Sequence, residues 1–167
     1  MYAYLYPVYL TFVMAGVYIF LNFAANQFFR HRPSKVKELS FHSIVYIAAV
    51  SMLAYIVSTQ ITDKELGNRV LHAFGGGFTA FFICYRVMAD ARLPLNLFQF
   101  FALSFLVVTG LGVANEIMEY FFQIHLDLVF APHPYDTWLD LISNTVGATI
   151  GGLVFLPLFS KYHDRKN

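Results

Sequence analysis

Residues 95–122 read LNLFQFFALSFLVVTGLGVANEIMEYFF, and this stretch decides the class of the protein. Its only charged side chains are Glu116 and Glu119, both toward the C-terminal end. About 20 predominantly apolar residues in helical form cross the hydrocarbon core of a bilayer. This run is longer, so it can tilt or project from the membrane. Lipid offers backbone N–H and C=O groups no outside partner, which leaves helix as the spanning structure, and no barrel-like alternation is present. The same reading predicts further helices over 4–29, 41–60, 70–87 and 137–159. The fold class is therefore all-α: a polytopic membrane protein, a five-helix transmembrane bundle forming one transmembrane domain over 1–167.

Composition agrees with that reading. Of 167 residues, 58% are hydrophobic and 13% charged, too apolar a balance for a soluble domain. A net charge of +1 provides no basic face to neutralise phosphates, so no nucleic-acid partner is expected. Cys84 is the single cysteine, which excludes a disulfide within the chain. The opening MYAYLYPVYL lacks the basic region of a secretory signal and reads as the start of a retained helix. Tyr2, Tyr4, Tyr6 and Tyr9 fit an aromatic belt at the headgroup level.

Basic residues predict the orientation. Arg30, Arg32, Lys35 and Lys37 lie between the first two helices, Arg86 and Arg92 flank the third connection, and Lys161, Arg165 and Lys166 form the tail. The opposite side carries only Lys64 and Arg69. Nine against two, by the positive-inside rule, puts the N-terminus outside and the C-terminus in the cytoplasm.

With that orientation, the ionisable side chains of the spans gather at one depth. The third helix enters from outside with His72 in its first turn, the fourth runs outward to Glu116 and Glu119, and the fifth starts outside with Asp136, Asp140 and Asn144. Carboxylates at membrane depth are costly, and a convergent set of them marks a functional site. Helical phase adds to this: at ~100° per residue, positions 136, 140, 144, 147 and 151 share one face. Gly147 and Gly151 on that face have a GxxxG spacing that serves helix packing, within the chain or in a homo-oligomer. Thr109 and Gly112 fall on the face of Glu116 and Glu119; Gly75, Gly76 and Thr79 fall on that of His72. The plainer reading of each part is a cap at Asp136, an interfacial side chain at His72 and water-facing carboxylates at Glu116 and Glu119.

Four carboxylates in a site of reduced dielectric need an offset: a bound cation, the nearby Arg69, or protonation. An imidazole nitrogen with carboxylate oxygens suits a divalent metal, Zn or Mn, or Mg where oxygens and water dominate. His72, Glu116, Glu119, Asp136 and Asp140 are the candidate ligands. The apolar segment 123–136, QIHLDLVFAPHPYD, reads as a surface lid or a bare interfacial connection, with His125 and His133 as weaker candidates.

At these residues the chain resembles the VanZ-like family of small integral membrane proteins and the related YjdF-like group. Asn68-Arg69-Val70-Leu71-His72 looks like that family's Asp-Lys-x-x-His helix opening. Glu116-Ile117-Met118-Glu119 is similar to its Glu-x-x-Gln, with Glu in the second slot as in the YjdF-like group. The run from Asp136 through Asp140 and Asn144 to Gly147-Ala148 looks like its Asp-x-x-x-Asp-x-x-x-Asn-x-x-Gly-Ala signature. The resemblance covers roughly 67–153. Asn68 stands where the family has an acid and Arg69 where it has a lysine, which keeps a positive charge without a readily transferred proton. The resemblance implies a bacterial cell-envelope setting; low-level teicoplanin resistance is associated with the family's namesake, and the chain's other features do not point to it.

The expected function is therefore a protein of the bacterial cytoplasmic membrane that acts on or binds an envelope lipid or a lipid-linked cell-wall component. Glu116, Glu119, Asp140 and His72 would hold a metal or exchange protons, while Arg69, Asp136 and Asn144 would meet the substrate headgroup. A small ion- or proton-coupled transporter and a non-catalytic membrane partner subunit are the rival readings.

Overall fold

The structure, a computed structural model, describes residues 6–28, 39–126 and 133–164. Five helices make it up: α1 (Tyr6–Phe28), α2 (Phe41–Thr59), α3 (Lys64–Ala91), α4 (Leu97–Leu126) and α5 (Pro134–Asp164). All five contain windows long and apolar enough to cross a membrane, and no strand occurs among the described residues. Their surfaces are inverted relative to a water-soluble protein. Phe12, Phe20, Phe98, Leu106 and Leu153 point outward, whereas Ser43, Ser51, Thr79 and Ser104 are buried. The many exposed apolar side chains among the described residues match a lipid surround.

Helix starts follow from capping chemistry. The Asp63 carboxylate accepts from the backbone N–H groups of Glu65 and Leu66, so α3 begins at Lys64 and not at residue 70. His72 consequently lies two turns inside the helix rather than in its first turn. In α5, Pro134 occupies the first position, where its missing N–H costs nothing, and Asp136 reaches back to accept from the His133 N–H at 3.2 Å. The predicted lid shrinks accordingly. Residues 123–126 continue α4 and 134–136 already belong to α5, leaving 127–132 of that segment outside the described residues. Tyr2, Tyr4, Arg30, Arg32, Lys35, Lys37, Arg165 and Lys166 also lie outside them.

α3 is the hub. It packs against each of the other four helices, with the α1–α2 pair on one side and the α4–α5 pair on the other. Residues His72–Phe78 (HAFGGGF) are wound as a π-helix, closed by the Thr79 N–H donating to Phe74 O five residues back. The extra residue per turn shifts the helical phase and brings Gly77 toward α5, where an added methyl would overlap Asn144 O, Ala148 N and the Gly147 Cα. A methyl at Gly147 would overlap Ala73 O in turn, and one at Gly151 would lie 2.8 Å from Phe81 Cβ. The glycine stripe of α5 is thus occupied by contact with α3 inside the chain, and not free for self-association. Gly75 faces Ala54 of α2 and Leu10 of α1, away from the side predicted at 100° per residue. Thr109 is exposed and bonds to its own helix.

The far end of the bundle is aromatic. Phe100 stacks on Phe159 with ring centroids 4.6 Å apart, Tyr85 and Phe82 stack on Phe155, and Phe81 meets Phe100 edge-on. Each such pair contributes roughly 0.5–1.5 kcal/mol of packing, which counts where lipid is as apolar as the partner side chain.

Candidate functional site

Extending α3 by two turns places Asn68, Arg69 and His72 beside the start of α5. Arg69 donates through Nη1 to Asp140 Oδ1 at 2.5 Å and through Nη2 to Asp136 Oδ1 at 2.9 Å, and its Nη1 also meets the Asp136 carbonyl at 3.3 Å. Asn68 donates to the same Asp140 oxygen at 3.3 Å. The guanidinium bridges the two carboxylates with one charge-assisted hydrogen bond to each, and such bonds are roughly twice as strong as neutral ones. Arg69 thereby clamps α3 to α5. His72 Nε2 lies 3.5 Å from Asp140 Oδ1, within ion-pair range.

Glu116 is different. It is 7% exposed, and both of its carboxylate oxygens are buried without a hydrogen bond of ordinary geometry from the described residues; Thr137 and Asn115 are the polar side chains beside it. Buried polar groups in native proteins nearly always find partners, so such a group is a pointer to function. The Asn144 amide is 5% exposed and sits between Gly76 of α3 and Gly112 of α4, with its Oδ1 likewise unbonded. One donor atom from each of His72, Glu116 and Asp140 lies within 4.8 Å of the other two.

A half-open cleft of about 340 Å³ adjoins this cluster. It exists because α1 and α4 flank α3 without packing on each other. One end is lined by Tyr6, His72, Asn115, Glu119 and Asn144, and the other by Val13, Val17, Ala80 and Leu111. The cleft is thus polar at one end and apolar along its length, with its open side between two helices whose outer faces meet lipid.

The sequence-derived set divides. His72, Glu116 and Asp140 come together, and Asn144 adjoins them at the cleft. Glu119 stands apart from the three: it lines the cleft and accepts from Asn115 Nδ2 at 2.7 Å. Asp136 is also outside the group; it receives Arg69 and the His133 N–H. Arg69 is not a free cation awaiting an anion, because its forked donors are taken by Asp136 and Asp140. His125 is exposed against Phe121, and His133 is exposed, so neither joins the group.

A second polar cluster at the other end of α3 escapes the sequence reading, which counts Arg86 as a loop-flanking charge. Arg86 instead lies inside α3, donating to Asp90 Oδ1 at 3.0 Å and to Ser43 Oγ at 2.9 Å. Ser43 Oγ and Tyr18 Oη both donate to Asp90 Oδ2, at 2.5 and 2.9 Å, and Tyr18 Oη accepts from the Ser40 N–H. Apart from the Arg86–Asp90 pair within α3, these hydrogen bonds tie α1 and the start of α2 to α3, which makes the cluster a helix staple. The Arg86/Asp90 spacing of four on a helix was the available signal. The apolar Ala80, Phe81, Ile83 and Cys84 lie between the two clusters along α3.

No family model matches the chain, and neither a curated protein nor a solved structure matches it.

Proposed function

We propose that this protein binds the chain of a membrane lipid, or of a lipid-linked envelope component, in the cleft between α1 and α4, with the lipid's polar part at His72, Asn115, Glu119 and Asn144. The cleft's lengthwise change from polar to apolar carries this reading. From Tyr6 to Val17 it follows α1 over roughly 16 Å at ~1.5 Å per residue, and its volume falls at the lower end of the ~300–1,000 Å³ typical of ligand pockets. One leaflet of the hydrocarbon core is about 15 Å deep, so the apolar part fits a single chain entering sideways from its own leaflet. The excess of basic residues on the opposite side supports an outward-facing site with a cytoplasmic C-terminus. The VanZ-like pattern of Arg69-x-x-His72, Glu116-x-x-Glu119 and Asp136 through Gly147 supports a setting in the bacterial cytoplasmic membrane.

A transporter reading finds less support. The Ala80–Cys84 stretch between the two polar clusters is apolar and packed, so no chain of polar side chains connects them along α3.

Native mass spectrometry of the purified protein tests the proposal. Wild type should retain a lipid adduct. Val13→Trp, which fills the cleft, should lose most of it, and Phe12→Trp, one residue away on the lipid-facing side, should keep it. A wild type without bound lipid, or a V13W variant that retains it fully, overturns the reading.

A further inference from the structure

The geometry points to a divalent transition-metal site of the zinc class, held by His72, Glu116 and Asp140. Two independent observations support it. The first is convergence: three side chains from three helices bring one nitrogen and two carboxylate oxygens within 4.8 Å of one another, with His72 Nε2 at 3.5 Å from Asp140 Oδ1. Donor atoms at ~2.0–2.2 Å from a tetrahedral zinc stand roughly 3.3–3.6 Å apart, which the His72–Asp140 pair already meets, and side-chain movement of about 1 Å closes the largest permitted gap. The second is Glu116 itself, more than nine-tenths buried and aimed into the group, with neither oxygen in a hydrogen bond of ordinary geometry and only the neutral Thr137 and Asn115 side chains beside it. Arg69 already offsets Asp136 and Asp140, and no cationic side chain does the same for Glu116 among the described residues. A dication supplies that missing charge.

Donor chemistry selects the metal class. One imidazole and two carboxylates suit Zn or Mn, whereas Mg and Ca favour all-oxygen sets. Three protein ligands are the number found where a metal keeps further positions open. His72 also lines the cleft, which puts the site at the cleft's wall. Arg69 and Asn68 are positioned as supports, because carboxylate ligands are themselves oriented by outer hydrogen bonds and both residues donate to Asp140. The site stands whether or not a lipid occupies the cleft.

The test uses purified full-length protein in detergent, stripped with chelator and then titrated with Zn²⁺ and, separately, Co²⁺. One Zn²⁺ should bind per chain and raise the melting temperature, and Co²⁺ should give a ligand-field absorption spectrum. Glu116→Gln and His72→Gln should each weaken Zn²⁺ at least tenfold and alter the cobalt spectrum, while remaining monodisperse. His125→Gln, an exposed histidine outside the group, should change neither. Because an amide at 116 preserves shape, and His72 is only partly buried, at least one of the two variants is expected to stay folded and decide the matter. Absence of stoichiometric binding by wild type, or binding by a folded E116Q or H72Q variant within twofold of wild type, overturns the assignment.

Discussion

Glu116 and Asp140 should respond to substitution with opposite signs, although they lie side by side. Asp140 is 2% exposed and receives both Arg69 and Asn68, which ties α5 to α3. Asp140→Ala leaves the Arg69 side chain, itself only 14% exposed and with Nε already unbonded, to Asp136 and, at 3.6 Å, the exposed Glu65. Removing one partner of a buried ion pair costs about 3–5 kcal/mol, and the surviving Arg69–Asp136 contact at 2.9 Å puts this case at the lower bound. Glu116 has no such partner, and an unsatisfied buried polar group costs roughly 1–3 kcal/mol. Glu116→Met fills the same length with apolar atoms. After some loss to imperfect repacking it should stabilise the metal-free protein by about 1–2 kcal/mol. For a chain of this length ~1 kcal/mol corresponds to about 2–4 °C, so D140A should melt roughly 6–12 °C lower and E116M about 4 °C higher. Thermal unfolding of both variants in one detergent, with chelator present, measures the pair. If E116M falls as far as D140A, Glu116 is an anchor of the fold and its reading as a site residue is refuted.

Other outcomes follow from the packing. Gly147→Ala should lose about 1–3 kcal/mol by forcing α5 off Ala73 O, whereas Gly110→Ala, with nothing within 4 Å of the new methyl, should be neutral or gain up to ~1 kcal/mol; the two melting curves compare them directly. Tyr18→Phe removes the hydroxyl shared by Asp90 and the Ser40 N–H and should cost roughly 1–2 kcal/mol in the same assay. A reporter active only in the cytoplasm, fused after residue 167, should be active; activity of an exterior-specific reporter there would reverse the orientation.

The five spans were legible because apolar run length is a signal that lipid imposes on each helix separately. Depth was legible for a similar reason, since polar residues near the ends of spans fall at one level once direction is assigned. Contact was less so. The π-helical turn at His72–Phe78 adds a residue that a uniform 100° step does not anticipate, so Gly77 and not Gly75 meets α5. Lys64, Glu65 and Arg69 look like loop charges and point to a start of α3 at residue 70, yet Asp63 caps a helix that carries them. Those two extra turns convert Arg69 from a free cation into the clamp on Asp136 and Asp140. Arg86 was hidden by the same reasoning, which takes a basic residue near a span end as a marker of orientation, whereas its partner Asp90 sits one turn along.

The central place of α3 bears on how the chain enters the bilayer. Of the five spans it has the lowest mean hydropathy and the largest buried share, 44% against 17% for α1 and for α4. Alone in lipid it would present Arg69, Arg86 and Asp90 to hydrocarbon, each unfavourable to insertion. α1 and α2 precede it during synthesis and can accept its Arg86 end at once, but the Arg69 end acquires Asp136 and Asp140 only after α5 has been made. Until then that half of α3 is a marginal guest in the membrane, so chains truncated before α5 should be the ones a quality-control protease removes.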